Sequence, residues 1–505
     1  MRSPRALPAR TFARLRAGAT GGARGGVLAL FSGSAAGVAL TYAAQPILTR
    51  LFTAEAFGVA DLFAAVVSVL FPVASLRYED ALTLPEDDGD AAHLFWLAVA
   101  LSLGACALLL LAPLLAPSVA RVPGYRALVP LLPLLAPALL ALRALRLTEA
   151  WCTRAKEFGP MATSNAIRAG ATSAYRLGAG FGGAAGAADG GAAALTHAFV
   201  AGTALGALVQ GVPLARRPGA LGAPISFKRM SRLASRYHRF ALLATPATLL
   251  HNLAGRLPFF GLALVFSPDV VGYFGRVFLV VATPLGLVGG AVSRVFAAHA
   301  PQARRDGTLP DLAARFHDRL VALGLYPTLA LCAFGPDLFA FVFGEAWREA
   351  GVYATVAAPW LYLAAVASPL TALFDVTEQH RLDLFTSVAL FAGLSIALFA
   401  GSLTGLPRMA VLAVGLSGAS LRVLHLWLLL GAAGVTGRRA LRPYGWGVGR
   451  SAAGLGLAVL VRMVAGPLFG APPATFGGVA GGAALYYSLV LAAEGPRKTP
   501  PAPER

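Results

Sequence analysis

Apolar residues come in long blocks separated by short polar breaks. Fourteen blocks approach the roughly 20 residues that a helix needs to cross about 30 Å of hydrocarbon. They fall near 26–48, 59–76, 94–116, 128–147, 164–184, 191–212, 240–265, 269–292, 319–343, 351–373, 382–404, 409–431, 448–470 and 473–492. The fourth to sixth carry the weakest apolar signal, because Gly and Ala dilute it. Backbone groups in lipid must be satisfied within the segment, so the blocks read as helices. A β-barrel would need alternating strands of about ten residues, and the chain has no such pattern. The fold class expected is an all-α polytopic membrane protein of about 14 transmembrane helices.

Composition supports this reading. Of 505 residues 57% are hydrophobic and only 13% charged, about half the charged share of a soluble domain. Charge then sets the orientation. The chain has 42 Lys+Arg against 23 Asp+Glu, a balance of +19. With the N-terminus placed in the cytoplasm, 31 of the 42 basic residues fall in inside segments or at the inner ends of spans, 5 in outside loops and 6 deeper within spans. That bias predicts an even number of spans and both termini cytoplasmic. The charge therefore calls for no nucleic-acid partner. Only Lys156, Lys228 and Lys498 are lysine, so arginine abundance reflects composition and arginine position carries the information. Cys106, Cys152 and Cys332 form neither a disulfide framework nor a metal spacing. The basic stretch 1–25 reads as a retained cytoplasmic N-terminus, because the apolar run after it is too long for a signal peptide. Loops are too short to house a catalytic domain, so an enzyme such as a polymerase or ligase is not expected.

An internal repeat divides the chain. Phe52-Thr53-Ala54-Glu55-Ala56-Phe57-Gly58 follows the first span and Phe266-Ser267-Pro268-Asp269-Val270-Val271-Gly272 the seventh. Both read F-[ST]-x-[DE]-x-x-G, the chemistry of a helix start: a hydroxyl cap, then an acid at the positive dipole end. Spans one and seven run in the same direction, so the repeat is parallel. The domains expected are a six-helix bundle at 26–212, a basic linker at 213–239, a second six-helix bundle at 240–431, two further helices within 432–492 and a cytoplasmic tail at 493–505.

Charges inside spans are the candidate chemistry, since a mid-bilayer arginine costs roughly 2.5–3.5 kcal/mol on insertion scales and needs a cavity or a partner. Thr245, Thr248, Asn252 and Arg256 share one face of span seven. Asn165, Arg168, Thr172 and Arg176 repeat that spacing in span five, and Arg276 lies in span eight. The expected site is a cationic cavity built from Arg256, Arg276, Arg176, Arg168, Asn252, Thr248 and Gln45. Guanidinium forks suit diphosphate oxygens, and the amides and hydroxyls suit sugar. Arg422 and Arg462 read as structural or as snorkelling to an interface. Arg77, Glu79 and Asp80, at the inner end of span two, are gate candidates, with Arg77 and Glu79 expected to pair. The cluster Glu86, Asp87, Asp88 and Asp90 reads as a solvated loop. No cofactor or metal is expected. Asp61, Glu149 and Asp375 are the candidate sites for proton or sodium coupling.

The segment Gln45-Pro46-Ile47-Leu48-Thr49-Arg50-Leu51-Phe52-Thr53-Ala54-Glu55-Ala56-Phe57-Gly58 resembles the first hairpin of the polysaccharide transporters, the Wzx-type oligosaccharide flippases. Ala74-Ser75-Leu76-Arg77-Tyr78-Glu79-Asp80-Ala81-Leu82-Thr83-Leu84-Pro85 is similar to the end of their second span. The resemblance implies the multidrug/oligosaccharidyl-lipid/polysaccharide exporter superfamily. Its members that move undecaprenyl-diphosphate-linked glycans for O-antigen, lipopolysaccharide, capsule or exopolysaccharide do so by alternating access. The partners it implies are that glycan lipid, membrane lipids, a polysaccharide polymerase and chain-length proteins. Two alternatives stand beside it: a multidrug or metabolite exporter, and a non-transporting member of a glycan-assembly complex. The basic excess within the spans argues against cationic drugs, and the polar stripes argue against an inert scaffold.

Overall fold

The computed structural model describes residues 23–183, 188–215 and 225–494. The basic N-terminal stretch before residue 23, linker residues 216–224 and the tail from 495 lie outside the described residues. The long helices are α1 (Ala23–Leu51), α2 (Ala54–Leu70), α3 (Asp88–Leu109), α4 (Leu135–Arg154), α5 (Phe158–Phe181), α6 (Ala188–Ala215), α7 (Phe227–Arg236) and α8 (Thr245–Val265). They continue with α9 (Pro268–Arg305), α10 (Leu309–Phe343), α11 (Arg348–Ala367), α12 (His380–Ser402), α13 (Pro407–Ala432), α14 (Gly437–Phe469) and α15 (Ala471–Glu494). Among the described residues, eleven helical segments are long and apolar enough to cross a membrane. The helices α1, α2 and α5 occupy the other three expected spans. The chain is an all-α polytopic membrane protein.

Local chemistry explains where several elements start and stop. Thr53 caps α2 by accepting the Ala56 N–H, and Glu55 sits in the first turn. The second copy of the motif starts α9 with Pro268 and Asp269, a proline at the first helical position costing no hydrogen bond. Span two was expected to run to residue 76, but α2 stops at Leu70. Phe71 and Pro72 follow, and Leu76 and Arg77 adopt left-handed backbone at φ +52° and +58°. Such φ values are uncommon away from glycine and mark a built turn. A 3₁₀ segment, Tyr78–Thr83, completes this end. Span four begins as a 3₁₀ segment, Pro123–Leu134, that contains Pro130 and Pro133, and becomes α-helical only at Leu135. Ahead of α8, Phe240–Ala244 forms one π-turn, which places Pro246 in the first turn, where its missing N–H costs least.

By packing, the chain divides into two compact units, Met1–Gly272 and Tyr273–Arg505. The first has a core of Tyr78, Leu82, Leu94, Phe95, Trp151 and Leu233 at the end that carries the basic loops, the basic end. The second is centred on Phe296, Val321, Leu325, Leu370, Phe374 and Leu429. There, α14 and α15 pack on α10. Tyr326 donates to the Val479 carbonyl at 2.9 Å, and Tyr486 to that of Ala322 at 2.9 Å. Asp337, 6% exposed, is paired with Arg348 at 2.8 Å and Arg462 at 2.9 Å. Arg462 is thus structural, as expected.

Candidate functional site

In the first unit the polar stripe of span seven lies along α2. Thr245 is buried and its hydroxyl donates to the Phe240 carbonyl at 3.0 Å. Thr248 accepts from the Arg77 Nη1, which also donates to the Ala244 carbonyl at 3.3 Å. One turn along, Asn252 donates to the Ser68 carbonyl at 3.0 Å. A further turn along, Arg256 lies over the Phe259 ring at 5.5 Å and feels the attraction of Asp61 on α2. Positions 77, 68 and 61 descend as 248, 252 and 256 rise, so the two helices run antiparallel. The stripe is one side of a polar ladder, and α2 supplies the other.

Glycines close the far end of that ladder. A Cβ on Gly58 would stand 1.7 Å from the Pro268 carbonyl oxygen, and one on Gly272 1.9 Å from that of Ala54. The pair is reciprocal: Ala54 and Gly58 occupy the same motif positions as Pro268 and Gly272. The two copies of F-[ST]-x-[DE]-x-x-G therefore touch backbone to backbone through the motif's glycine. Nearby, Gly124 meets the Ala263 carbonyl just as closely, and Tyr125 donates to the Phe260 carbonyl at 2.8 Å.

The basic end is closed by charge. Arg77 pairs with Asp80 at 2.7 Å, and Asp80 also binds Arg146 at 3.0 Å. The expected Arg77–Glu79 pair does not form. The left-handed turn sends the two side chains to different partners, and Glu79 pairs at 2.8 Å with Arg143 of α4. Both are sealed, Arg143 at 0% and Glu79 at 2% exposure. Arg143 also donates to Ser75 and to Ser102, and lies 4.6 Å over the Phe71 ring. Removing either partner would leave the other buried and unpaired.

The other sequence candidates lie on other elements. Arg168 packs with Thr172 against Gly206 and Gly202 of α6, within the field of Glu149. Arg176 reaches the Leu195 carbonyl of α6 at 3.5 Å. Gln45 is buried in α1 at 2% exposure. Arg276 is 5% exposed on α9 in the second unit, and Asp375 is exposed in the short helix Ala372–Val376. The acidic cluster proves anchored: Asp87 and Asp90 hold Arg229 of α7, and Asp88 holds Arg154 at 2.8 Å. The Asp87 carboxyl caps α3, and the Gly89 N–H, followed by the weaker pull of Arg229, keeps it below the usual carboxylate range.

Arg143, Ser75 and Ser68 escape the sequence reading. The arginine count assigns Arg143 to the cytoplasmic flank, although it lies within the fourth apolar block. A buried acid at Glu79 and a buried base at Arg143 are complementary in sequence, but 64 residues separate them.

The profile of the polysaccharide biosynthesis protein family matches residues 47–352, more than half of the chain. No curated protein sequence matches. Among solved structures, the chain is similar to the lipid II flippase MurJ in an inward closed conformation, with TM-score 0.69 and 13% identity over 93% of this chain and 99% of that one. It is also similar to an inward-facing multidrug resistance MATE family transporter, with TM-score 0.55 and 12% identity over 80% of this chain and 95% of that one. A transporter of the same superfamily from Pyrococcus furiosus gives TM-score 0.51 and 14% identity over 82% and 98%. These likenesses are of fold. The chain belongs to the polysaccharide biosynthesis protein family and is built on the fold of the multidrug/oligosaccharidyl-lipid/polysaccharide exporter superfamily.

Proposed function

We propose that the protein is a flippase that moves an undecaprenyl-diphosphate-linked oligosaccharide across the bacterial inner membrane, with both termini in the cytoplasm. The glycan would feed O-antigen, capsule or exopolysaccharide synthesis. The observation that carries the reading is the α2–α8 ladder with Arg256 at its middle. Its rungs are single hydrogen bonds and a glycine contact, which part at lower cost than an interdigitated apolar seam. Arg256 has Asp61 as a nearby carboxylate, and a diphosphate offers a guanidinium a stronger bidentate partner. Exchanging Asp61 for the diphosphate would bind substrate and loosen the ladder together, as alternating access requires. Asp61, released, becomes the candidate for proton or sodium coupling.

The test is reconstitution in liposomes with a fluorescent undecaprenyl-diphosphate oligosaccharide, followed by quenching from the opposite leaflet. Wild-type protein should move the lipid. Arg256→Glu loses at least one charged hydrogen bond, about 1.5–3 kcal/mol, so movement should fall roughly tenfold to a hundredfold. Unchanged movement in that variant removes Arg256 from the site. No movement of any lipid-linked glycan by the wild type overturns the function.

A further inference from the structure

The second unit contains an apolar groove between α10, α11, α13 and α14, with a cavity of about 330 Å³. Its hydroxyl and imidazole wall residues spend their hydrogen bonds inside the protein. Thr328 donates to the Gly324 carbonyl at 2.7 Å, Tyr362 to that of Val321 at 3.1 Å, and His317 Nε2 meets the Tyr444 hydroxyl at 3.3 Å. What remains facing the groove is hydrocarbon, chiefly Leu325, Leu329, Leu363 and Leu426. Water would find few partners along an apolar groove of this kind.

The groove opens sideways. Val423 and Trp427 of α13 and Leu441 of α14 line it and are 54%, 56% and 61% exposed. All three lie on segments long and apolar enough to cross a membrane, so the mouth of the groove lies at membrane depth. Basic residues adjoin the lining residues Ala440 and Leu441 in sequence. Arg438 and Arg442 are exposed on the first turns of α14, and Arg315 and Arg319 flank His317 on α10. Arg442 lies 5.9 Å from the Trp446 ring, and Trp427 packs on Gly437. Tryptophan and arginine together are the chemistry of the headgroup region.

We propose that this groove holds one acyl chain of an anionic glycerophospholipid from the leaflet at the basic end, with its phosphate held by Arg438 and Arg442. The occupant is a resident bilayer lipid. Its phosphate would sit at the level of the headgroups while its chain passes between α13 and α14 beneath Trp427. The proposal does not depend on the flippase reading, so either can fail alone.

Trp427 is the reporter. The full-length protein is placed in phosphatidylcholine nanodiscs that contain a minor fraction of chain-brominated phosphatidylglycerol or chain-brominated phosphatidylcholine. The fluorescence quenched in wild type and absent in Trp427→Phe gives groove occupancy. Brominated phosphatidylglycerol should quench well beyond its bulk share, and the phosphatidylcholine analogue should not. Each basic residue near a charged headgroup contributes about fivefold in affinity, so Arg438→Gln with Arg442→Gln should bring the two lipids close to parity. Leu329→Phe with Leu363→Phe fills the groove and should abolish the Trp427 component. Should those variants fail to fold, alkylation of Cys332, which also lines the groove, gives a second readout, with phosphatidylglycerol slowing it in wild type. Equal quenching by the two lipids overturns the headgroup assignment. Preferential occupancy by a polyprenyl diphosphate overturns the occupant. No Trp427 component, or no lipid effect on Cys332, overturns the site.

Discussion

Adding one methyl group at Gly58 tests whether the two repeat motifs close the far end of the ladder. The Cβ of Gly58→Ala would lie 1.7 Å from the Pro268 carbonyl oxygen, and contacts under 3.0 Å essentially never occur. The obstacle is backbone, so no rotamer change relieves it, and the helix starts must part by about 1.3 Å. Over-packing of this kind costs about 1–3 kcal/mol, which lowers the closed population roughly fivefold to 150-fold. Spin labels at the exposed positions Glu55 and Ser267, in a background without the three native cysteines, read the separation by double electron–electron resonance. The wild type should give one short distance, and Gly58→Ala a longer second population. Gly272→Ala should act alike, since its Cβ meets the Ala54 carbonyl oxygen at 1.9 Å. Both substitutions push apart the same pair of backbones, so the double variant should cost clearly less than their sum. Superimposable distance distributions for wild type and Gly58→Ala, with unchanged thermal stability, refute the contact. Strictly additive costs refute the idea that both glycines serve one contact.

Glu79→Gln strands the fully buried Arg143 without its carboxylate and should cost about 3–5 kcal/mol, read as a large drop in Tm in detergent. The Arg77–Asp80 pair is partly exposed, so Asp80→Asn should cost at most about 1 kcal/mol; equal effects of the two would contradict the burial difference. Asn252→Leu removes the donor to Ser68 and should loosen the α2–α8 contact by about 1 kcal/mol, seen as faster hydrogen exchange in α8 and unchanged exchange in α14. The Asp87 carboxyl is held below its ordinary range, so its hold on Arg229 of α7 is full above the unfolded pKa and is lost as pH falls through the lower folded value. Exchange protection of 227–236 should therefore be flat from neutral pH down to about 4 and decline only in stronger acid; loss near pH 6 would assign the anchor to histidine instead.

Much of the fold was legible because lipid imposes a single rule, that a spanning segment satisfies its own backbone. Apolar length located the helices, and the distribution of arginine supported an even count. The errors are local. Hydropathy places the end of α2 too late because Phe71-Pro72-Val73 reads as apolar throughout, and an apolar average is blind to a proline that ends a helix. The Arg77–Glu79 pairing failed for a related reason. Two residues of spacing says nothing about direction once the backbone turns left-handed, and φ at Leu76 and Arg77 is not written in their side chains. Arg143 was hidden by its count. A basic residue near a span end normally marks topology, and only the fold shows that this one turns inward to Glu79.

The polar stripe of span seven shows how far one helix can be read by itself. Spacing of 3, 4 and 4 put Thr245, Thr248, Asn252 and Arg256 on one face, and a polar face in a membrane demands partners. A cavity full of substrate satisfies that demand, and so does another helix. The chain supplies the helix, with Ser68 and Asp61 on α2 and Arg77 just beyond its end, arrayed at matching heights. The two answers exclude each other only in a rigid protein. On the proposed function the same donors serve the neighbouring helix in one state and the cargo in the next, because each rung is a hydrogen bond worth about 1–3 kcal/mol that a new partner can replace. The stripe of span five has no such freedom. Thr172 and Arg168 fill the space left by Gly202 and Gly206, so parting them from α6 would open a close-packed helix seam. Of the two stripes that look equivalent in sequence, span seven is therefore the one held by exchangeable hydrogen bonds rather than by close packing.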